Sequence, residues 1–219
     1  MQIKDFLLAL FFPEFCLNCQ RLGPSLCENC YHDLQFYFSQ NKIQEIQDHF
    51  QKIYFDDLLI MAKFSGSLMK LLKTLKYQSG KNLAPFLAKM LYQHLAIPQV
   101  DLISFIPLHP AKLRLRAYNQ GQEIALELGK ILQVPVKNLL EKKANTRAQA
   151  QIKNQQERLQ RMQGLFQVRA KYQNFIKDKR ILIIDDVLTT GATLNAVSQT
   201  LKEAQAKSVF GLIVASKME

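Results

Sequence analysis

Two stretches of this 219-residue chain set residue types at spacings that chemistry would use. In CLNCQRLGPSLCENC, Cys16 and Cys19 form one CxxC elbow, Cys27 and Cys30 form another, and the sequence holds no other cysteine. Each elbow presents two thiolates on one side of a tight turn, and Gly23-Pro24 supplies the bend that returns the second elbow to the first. Four thiolates close a tetrahedral shell, so the expected ion is a structural zinc that organises a short segment and performs no reaction. Two disulfides are the competing reading; they need an oxidising compartment, for which the chain carries no sign.

The second stretch is RILIIDDVLTTGATL, residues 180–194. Four aliphatics at 181–184 read as a strand buried on both faces, which places Asp185 and Asp186 at its carboxyl end, where ligands bind in open α/β sheets. Thr189, Thr190, Gly191, Ala192 and Thr193 then lead into a helix. Unpaired N–H groups at a helix amino terminus, hydroxyls beside them and a glycine that permits close approach make a cradle for a phosphate. Two acids over such a cradle would repel the phosphate, so they must serve another part of the same molecule. Ribose hydroxyls are donors and fit, directly or through Mg²⁺, and the stretch reads as one site for ribose 5-phosphate. An acidic turn capped by Thr193 would account for Thr193 alone. A Walker-type site is excluded by the lack of any GxxxxGK[ST].

The elements that must position these residues follow from periodicity. Strand-like runs occur at 58–63, 102–106, 166–169, 181–184 and 209–215, separated by helical spacings at 68–75, 83–91, 124–132 and 194–201. Strands alternating with helices predict an α/β domain with a parallel sheet covered on both faces. The run at 6–12 predicts a short apolar helix leading into the cysteine segment, and 31–52 is expected to be helical. The run at 6–12 is far shorter than a bilayer span and lacks a cleavage site, so a cytoplasmic location is expected.

The net charge of +11 is confined to the middle of the chain. Residues 109–180 carry sixteen Lys and Arg against five Asp and Glu, while the flanking stretches together cancel. So lopsided a segment points to polyanions: the phosphates of a small substrate, a nucleic acid backbone, or both. Single-stranded nucleic acid also asks for aromatic platforms, for which Tyr118 and Tyr172 are candidates.

The pattern of four aliphatics, two acids and VLTTGAT resembles the phosphoribosyl diphosphate (PRPP) motif of type I phosphoribosyltransferases. More narrowly, the tandem CxxC pairs after LFFPEFC, LKTLKYQSGKNLA at 72–84, PLHPAKLRLRAYNQ at 107–120, and TRAQ at 146–149 running on to Gly164-Leu165-Phe166 resemble the ComF family of competence-associated proteins. The resemblance implies a type I phosphoribosyltransferase-like fold, a mostly parallel sheet flanked by helices, over 53–219. A small zinc-binding subdomain and linker would occupy 1–52. It implies that 107–110, with Leu108 and His109, corresponds to the pyrophosphate loop, with Lys112 and Arg116 beside the diphosphate. It further implies that 141–163 holds a flexible active-site loop, and that Asp185, Asp186 and residues 189–193 bind the ribose phosphate of PRPP with Mg²⁺. A role in taking up single-stranded DNA at the inner-membrane uptake machinery is implied, with Arg114, Arg116, Tyr118, Lys142, Lys143, Arg147, Arg158 and Arg161 as DNA contacts. The alternative is an active transferase in which Asp185, Asp186 and Arg116 are catalytic, the phosphoribosyl group passes from PRPP to a base and pyrophosphate is released; a PRPP-responsive regulator is a third reading.

Overall fold

The computed structural model describes residues 15–37, 43, 46, 50–76, 78–142 and 164–218. The expected helix at 6–12, and Lys143, Arg147, Arg158 and Arg161, lie outside them.

Four strands form one parallel sheet: β1 (Asp57–Lys63), β2 (Leu102–Phe105), β5 (Arg180–Leu188) and β6 (Ser208–Ser216), in the order β1-β6-β5-β2. A separate antiparallel pair, β3 (Leu140–Lys142) and β4 (Phe166–Val168), lies to one side. The helices are α1 (Glu28–His32), α2 (Gly66–Thr74), α3 (Ala84–His94), α4 (Pro110–Arg116), α5 (Gln120–Leu132) and α6 (Ala192–Glu203).

The continuous apolar runs behave as strands covered on both sides. Leu59, Met61, Ile103, Phe105, Leu182, Ile184, Leu212 and Val214 pack under α2, α3 and α5. Their alternates Leu58, Ile60, Leu102, Ile181, Ile183, Val209 and Ile213 pack under α6 and the β3–β4 pair. Side-chain alternation thus divides each strand between two cores. α5 begins at Asn119, whose Oδ1 accepts from the Gln122 N–H at 3.3 Å while its Nδ2 donates to the Ile106 carbonyl at 2.9 Å. One residue therefore caps the helix and ties it to the end of β2.

Two expectations need correction, and one helix was not expected. The strand at 181–184 runs on to Leu188, because β6 keeps pairing as far as Leu188↔Ser216, whereas β2 stops at Phe105↔Ile184. Asp185 and Asp186 accordingly lie within β5, beyond its last β2 partner. The 31–52 stretch is not one helix: α1 ends at His32, and Phe36 bridges to Ala62 at the edge of the sheet. α4 gave no periodic signal, since none of its seven residues is buried.

At the opposite end of the sheet, Asp101 accepts from the Arg180 guanidinium at 2.8 Å and from its backbone N–H at 2.8 Å. The Arg180 side chain, then its N–H, hold the Asp101 carboxyl down at about 2, against 3.8 ordinarily. Because the folded value is depressed, the stabilisation is complete above about pH 4 and is lost as pH falls through about 2. Asp101→Asn should therefore lower the urea midpoint near neutral pH, with the gap from the parent closing between pH 4 and 2; a gap independent of pH would contradict the assignment.

Candidate functional site

The four cysteine sulfurs lie within 4.8 Å of one another, with Cys19 and Cys27 Sγ 3.6 Å apart. All four thiols are free. A zinc ion bonded to four sulfurs at about 2.3 Å sets neighbouring sulfurs about 3.8 Å apart, whereas a disulfide sets them about 2.05 Å apart. The cluster therefore fits a tetrahedral metal such as zinc. Burial works against ionisation of Cys16, yet hydrogen bonds from the backbone of Cys19, Cys27 and Asn18 outweigh it and hold the thiol at about 6. That favours the thiolate a metal requires.

This knob is joined to the sheet domain through polar contacts as well as its core. Asn18 Nδ2 donates to Cys30 Sγ at 3.1 Å and to Ser67 Oγ at 2.6 Å, and Asp33 accepts from the Ser67 N–H at 3.0 Å and hydroxyl at 2.8 Å. The Asp33 carboxylate thereby serves the first turn of α2. On α3, His94 stacks on Phe36 at 4.1 Å, and its Nε2 meets the Tyr31 hydroxyl at 2.6 Å.

At the far end of β5 the two acids adjoin the start of α6. Burial, then the charge of Asp186, pushes the Asp185 carboxyl well above the carboxylate range, with Lys76 opposing the shift. Asp186 Oδ2 is buried and has no hydrogen-bond partner. Asp185 Oδ1 accepts from the Asp186 N–H at 2.9 Å, so the unmet acceptor of the pair is Asp186 Oδ2, where a sugar hydroxyl or Mg²⁺ would be held. Beside it, α6 starts at Gly191 without a side-chain cap; Thr190 Oγ1 accepts a long bond from the Ala192 N–H at 3.4 Å. Thr193 lies inside the helix and does not cap it. A twelve-residue helix with an uncapped amino terminus directs partial positive charge at this point. Gly191 has φ +76°, a left-handed conformation that disfavours other residues. Thr189 is exposed, and Thr190, Ala192 and Thr193 are half-buried.

The loop after β2 is fixed from both sides. The Ile106 N–H donates to the Ile184 carbonyl at 3.2 Å, and His109 caps α4 by accepting from the Ala111 N–H at 3.2 Å. His109 thus serves the loop backbone; Leu108 beside it is half-buried. Arg116 donates to Gln120 Oε1 at 3.0 Å. Lys112 and Arg114 are exposed. Burial, then the charge of Lys112, pulls the Lys142 ammonium down, so α4 and β3 bring two cations together. Lys142 also lies 5.9 Å from the centre of the Phe166 ring.

Tyr118 is not a stacking platform. It is only 8% exposed, and its hydroxyl donates to the Leu75 carbonyl. A ring enclosed in this way presents no face to a base; it clamps the end of α2. Tyr172 is half-buried beside Lys171 and Phe175, on the stretch leading to the amino-terminal end of β5.

Sequence reasoning missed several residues that the fold brings here. Lys76 acts on Asp185 across more than a hundred residues, and only its place in LKTLKYQSGKNLA could have drawn attention to it. A side-chain carbon on Gly191 would lie 3.5 Å from both Ile46 and Phe50. One turn along α6, buried Asn195 donates to the Lys52 carbonyl at 2.9 Å and accepts from the Tyr54 N–H at 2.8 Å. The segment before β1 therefore straps α6.

Two outcomes follow from these geometries. Metal analysis should find one zinc per chain, and Cys30→Ser should lower that content and speed amide exchange at the start of α2, where Ser67 depends on Asn18 and Asp33. Gly191→Ala should cost about 1 kcal/mol in denaturant-measured stability, from the positive φ alone, since the added methyl makes only ordinary contacts.

Comparison with known proteins agrees with this geometry. A family model described as the phosphoribosyl transferase domain matches residues 118–219. Competence protein F of Haemophilus influenzae is 26% identical over 202 residues, covering 86% of this chain and 84% of its own. Competence protein ComFC of Streptococcus pneumoniae is 30% identical over 219 residues, covering 91% of this chain and 80% of its own. Among solved structures, the glutamine PRPP amidotransferase from B. subtilis complexed with ADP and GMP aligns at 19% identity and a TM-score of 0.47, covering 65% of this chain and 30% of that one. With a mostly parallel sheet flanked by helices, a phosphoribosyl transferase domain and a four-cysteine cluster near its amino terminus, the chain belongs to the competence protein F/ComFC family and has the type I phosphoribosyltransferase-like fold.

Proposed function

We propose that this protein acts in competence as a handler of incoming single-stranded DNA, with a phosphoribosyltransferase-type pocket that binds PRPP or ribose 5-phosphate with Mg²⁺. The observation that carries the pocket is the buried, unpartnered oxygen of Asp186 standing beside the uncapped start of α6. The acids hold the ribose, and residues 189–193 hold its phosphate. Lys112 and Arg116, with the loop at 107–110, face the diphosphate. Mg²⁺, when bound, screens the charge of the diphosphate and of the carboxylates. Residues 1–52 serve as the zinc-binding subdomain and 53–219 as the pocket-bearing domain.

The DNA surface is the basic face built by Lys112, Arg114 and Lys142. Among the described residues none of these has an acidic partner, and Lys112 and Lys142 repel one another. Cations held together without counter-charge favour a polyanion. No helix among the described residues is long and apolar enough to cross a membrane. The protein works in the cytoplasm, as a peripheral partner of the inner-membrane uptake machinery.

Calorimetry with PRPP and Mg²⁺, with and without a single-stranded oligonucleotide, tests both halves. Asp186→Asn should weaken PRPP at least about tenfold while leaving oligonucleotide affinity intact, since it removes a charged partner. The pair Lys112→Ala and Lys142→Ala should flatten the dependence of log affinity on log salt by about 1.4, as for two phosphate contacts on a single strand. Oligonucleotide binding insensitive to salt would sink the DNA half. Release of pyrophosphate from PRPP with any base would convert the pocket into that of a transferase.

A further inference from the structure

A second orphan atom lies at the same end of β5, and its chemistry complements that of Asp186. Gln120, the first residue of α5, is 2% exposed, and its Nε2 is buried without a hydrogen-bond partner. The orientation of the amide is fixed by chemistry. Arg116 has only donors, so the atom 3.0 Å from its guanidinium must be Oε1, which leaves Nε2 as the unused end. The start of α5 rests directly on the end of β5. A side-chain carbon on Gly121 would lie 3.1 Å from the Ile184 carbonyl oxygen, a tight contact that glycine avoids. Asn119 holds the same junction through Ile106, whose own N–H donates to Ile184. Gln120 is therefore anchored one step from the strand residues that carry Asp185 and Asp186.

Of the four buried side-chain atoms without partners among the described residues, one is the Asp186 acceptor and another the Gln120 donor. An unmet buried donor and an unmet buried carboxylate oxygen each cost about 1 to 3 kcal/mol, so each calls for a partner. A group that satisfies both must accept and donate at once. An alcohol or a water molecule does so; a metal ion, a carboxylate or a fully ionised phosphate does not.

Building on the pocket reading above, we propose that Gln120 Nε2 is a specificity-determining donor of the same site, giving a hydrogen bond to a pentose hydroxyl whose proton goes to Asp186. Arg116 then acts twice, facing the diphosphate and orienting the amide. The site prefers a sugar with its vicinal hydroxyls intact over a deoxy sugar, because removing the hydroxyl leaves both buried atoms unmet.

Calorimetry on the full chain with Mg²⁺ tests this, using ribose 5-phosphate, 2-deoxyribose 5-phosphate and 3-deoxyribose 5-phosphate. The parent protein should prefer ribose 5-phosphate to at least one deoxy analogue by about tenfold or more. Gln120→Met keeps the side-chain volume and should erase that preference by weakening ribose 5-phosphate alone. Gln120→Glu keeps an oxygen for Arg116 but replaces the donor with an acceptor, and should bind ribose 5-phosphate more weakly still. If either variant, shown to be folded by an unchanged melting temperature, weakens all three sugars equally or none of them, Gln120 is a packing residue and the proposal fails while the pocket reading stands. If the parent binds none of the three, the pocket reading and this proposal fall together.

Discussion

A carboxylate oxygen buried without a donor is costly for a folded chain to keep, and this molecule keeps one on Asp186, where β5 runs on past β2. β5 outruns β2 at Ile184 while staying paired to β6, so the two residues after Ile184 have a strand on one side and an opening on the other. Into that opening the chain puts two acids. Burial and mutual repulsion push Asp185 toward its neutral form, and Asp186 keeps one oxygen with nothing to bind.

The neighbouring elements are arranged around that opening. α6 is strapped along its length: Ile46 and Phe50 at Gly191, the backbone of Lys52 and Tyr54 at Asn195, and Asp56 on Lys202 at 2.7 Å. The strap continues the chain from the cysteine knob, which holds the start of α2 through Asn18, Ser67 and Asp33. The end of α2 is clamped by Tyr118, and Lys76 follows it. The cysteine cluster, the start of α2 and α6 are thereby joined by covalent and hydrogen-bonded paths. Cys16, Leu26, Cys30 and Leu34 belong to the same apolar core as α2 and α3, so the knob is packed into the domain.

Charge is sorted by position. Arg180 is matched by Asp101 at the amino-terminal end of the sheet, and Arg169 lies 3.5 Å from Glu141. These cations serve the fold. Lys112, Arg114 and Lys142, near the loop after β2, have no acid against them among the described residues.

The sequence alone determined what depends on local order. Tandem CxxC elbows bring sulfurs together because two short turns suffice, and the aliphatic run before Asp185 can only be a buried strand. The four long helices announced themselves by period. What it could not decide was how far β5 would extend, since that depends on where β2 stops pairing. The same holds for Tyr118, whose place in a basic segment suggested exposure until packing against Leu75 enclosed it. Lys76, Gln120, Asn195 and Phe50 belong to the site or its support only because the sheet brings remote segments to one end. Hydrogen bonds and burial between residues far apart in the chain have no period and no spacing, so the tertiary structure alone assigns them.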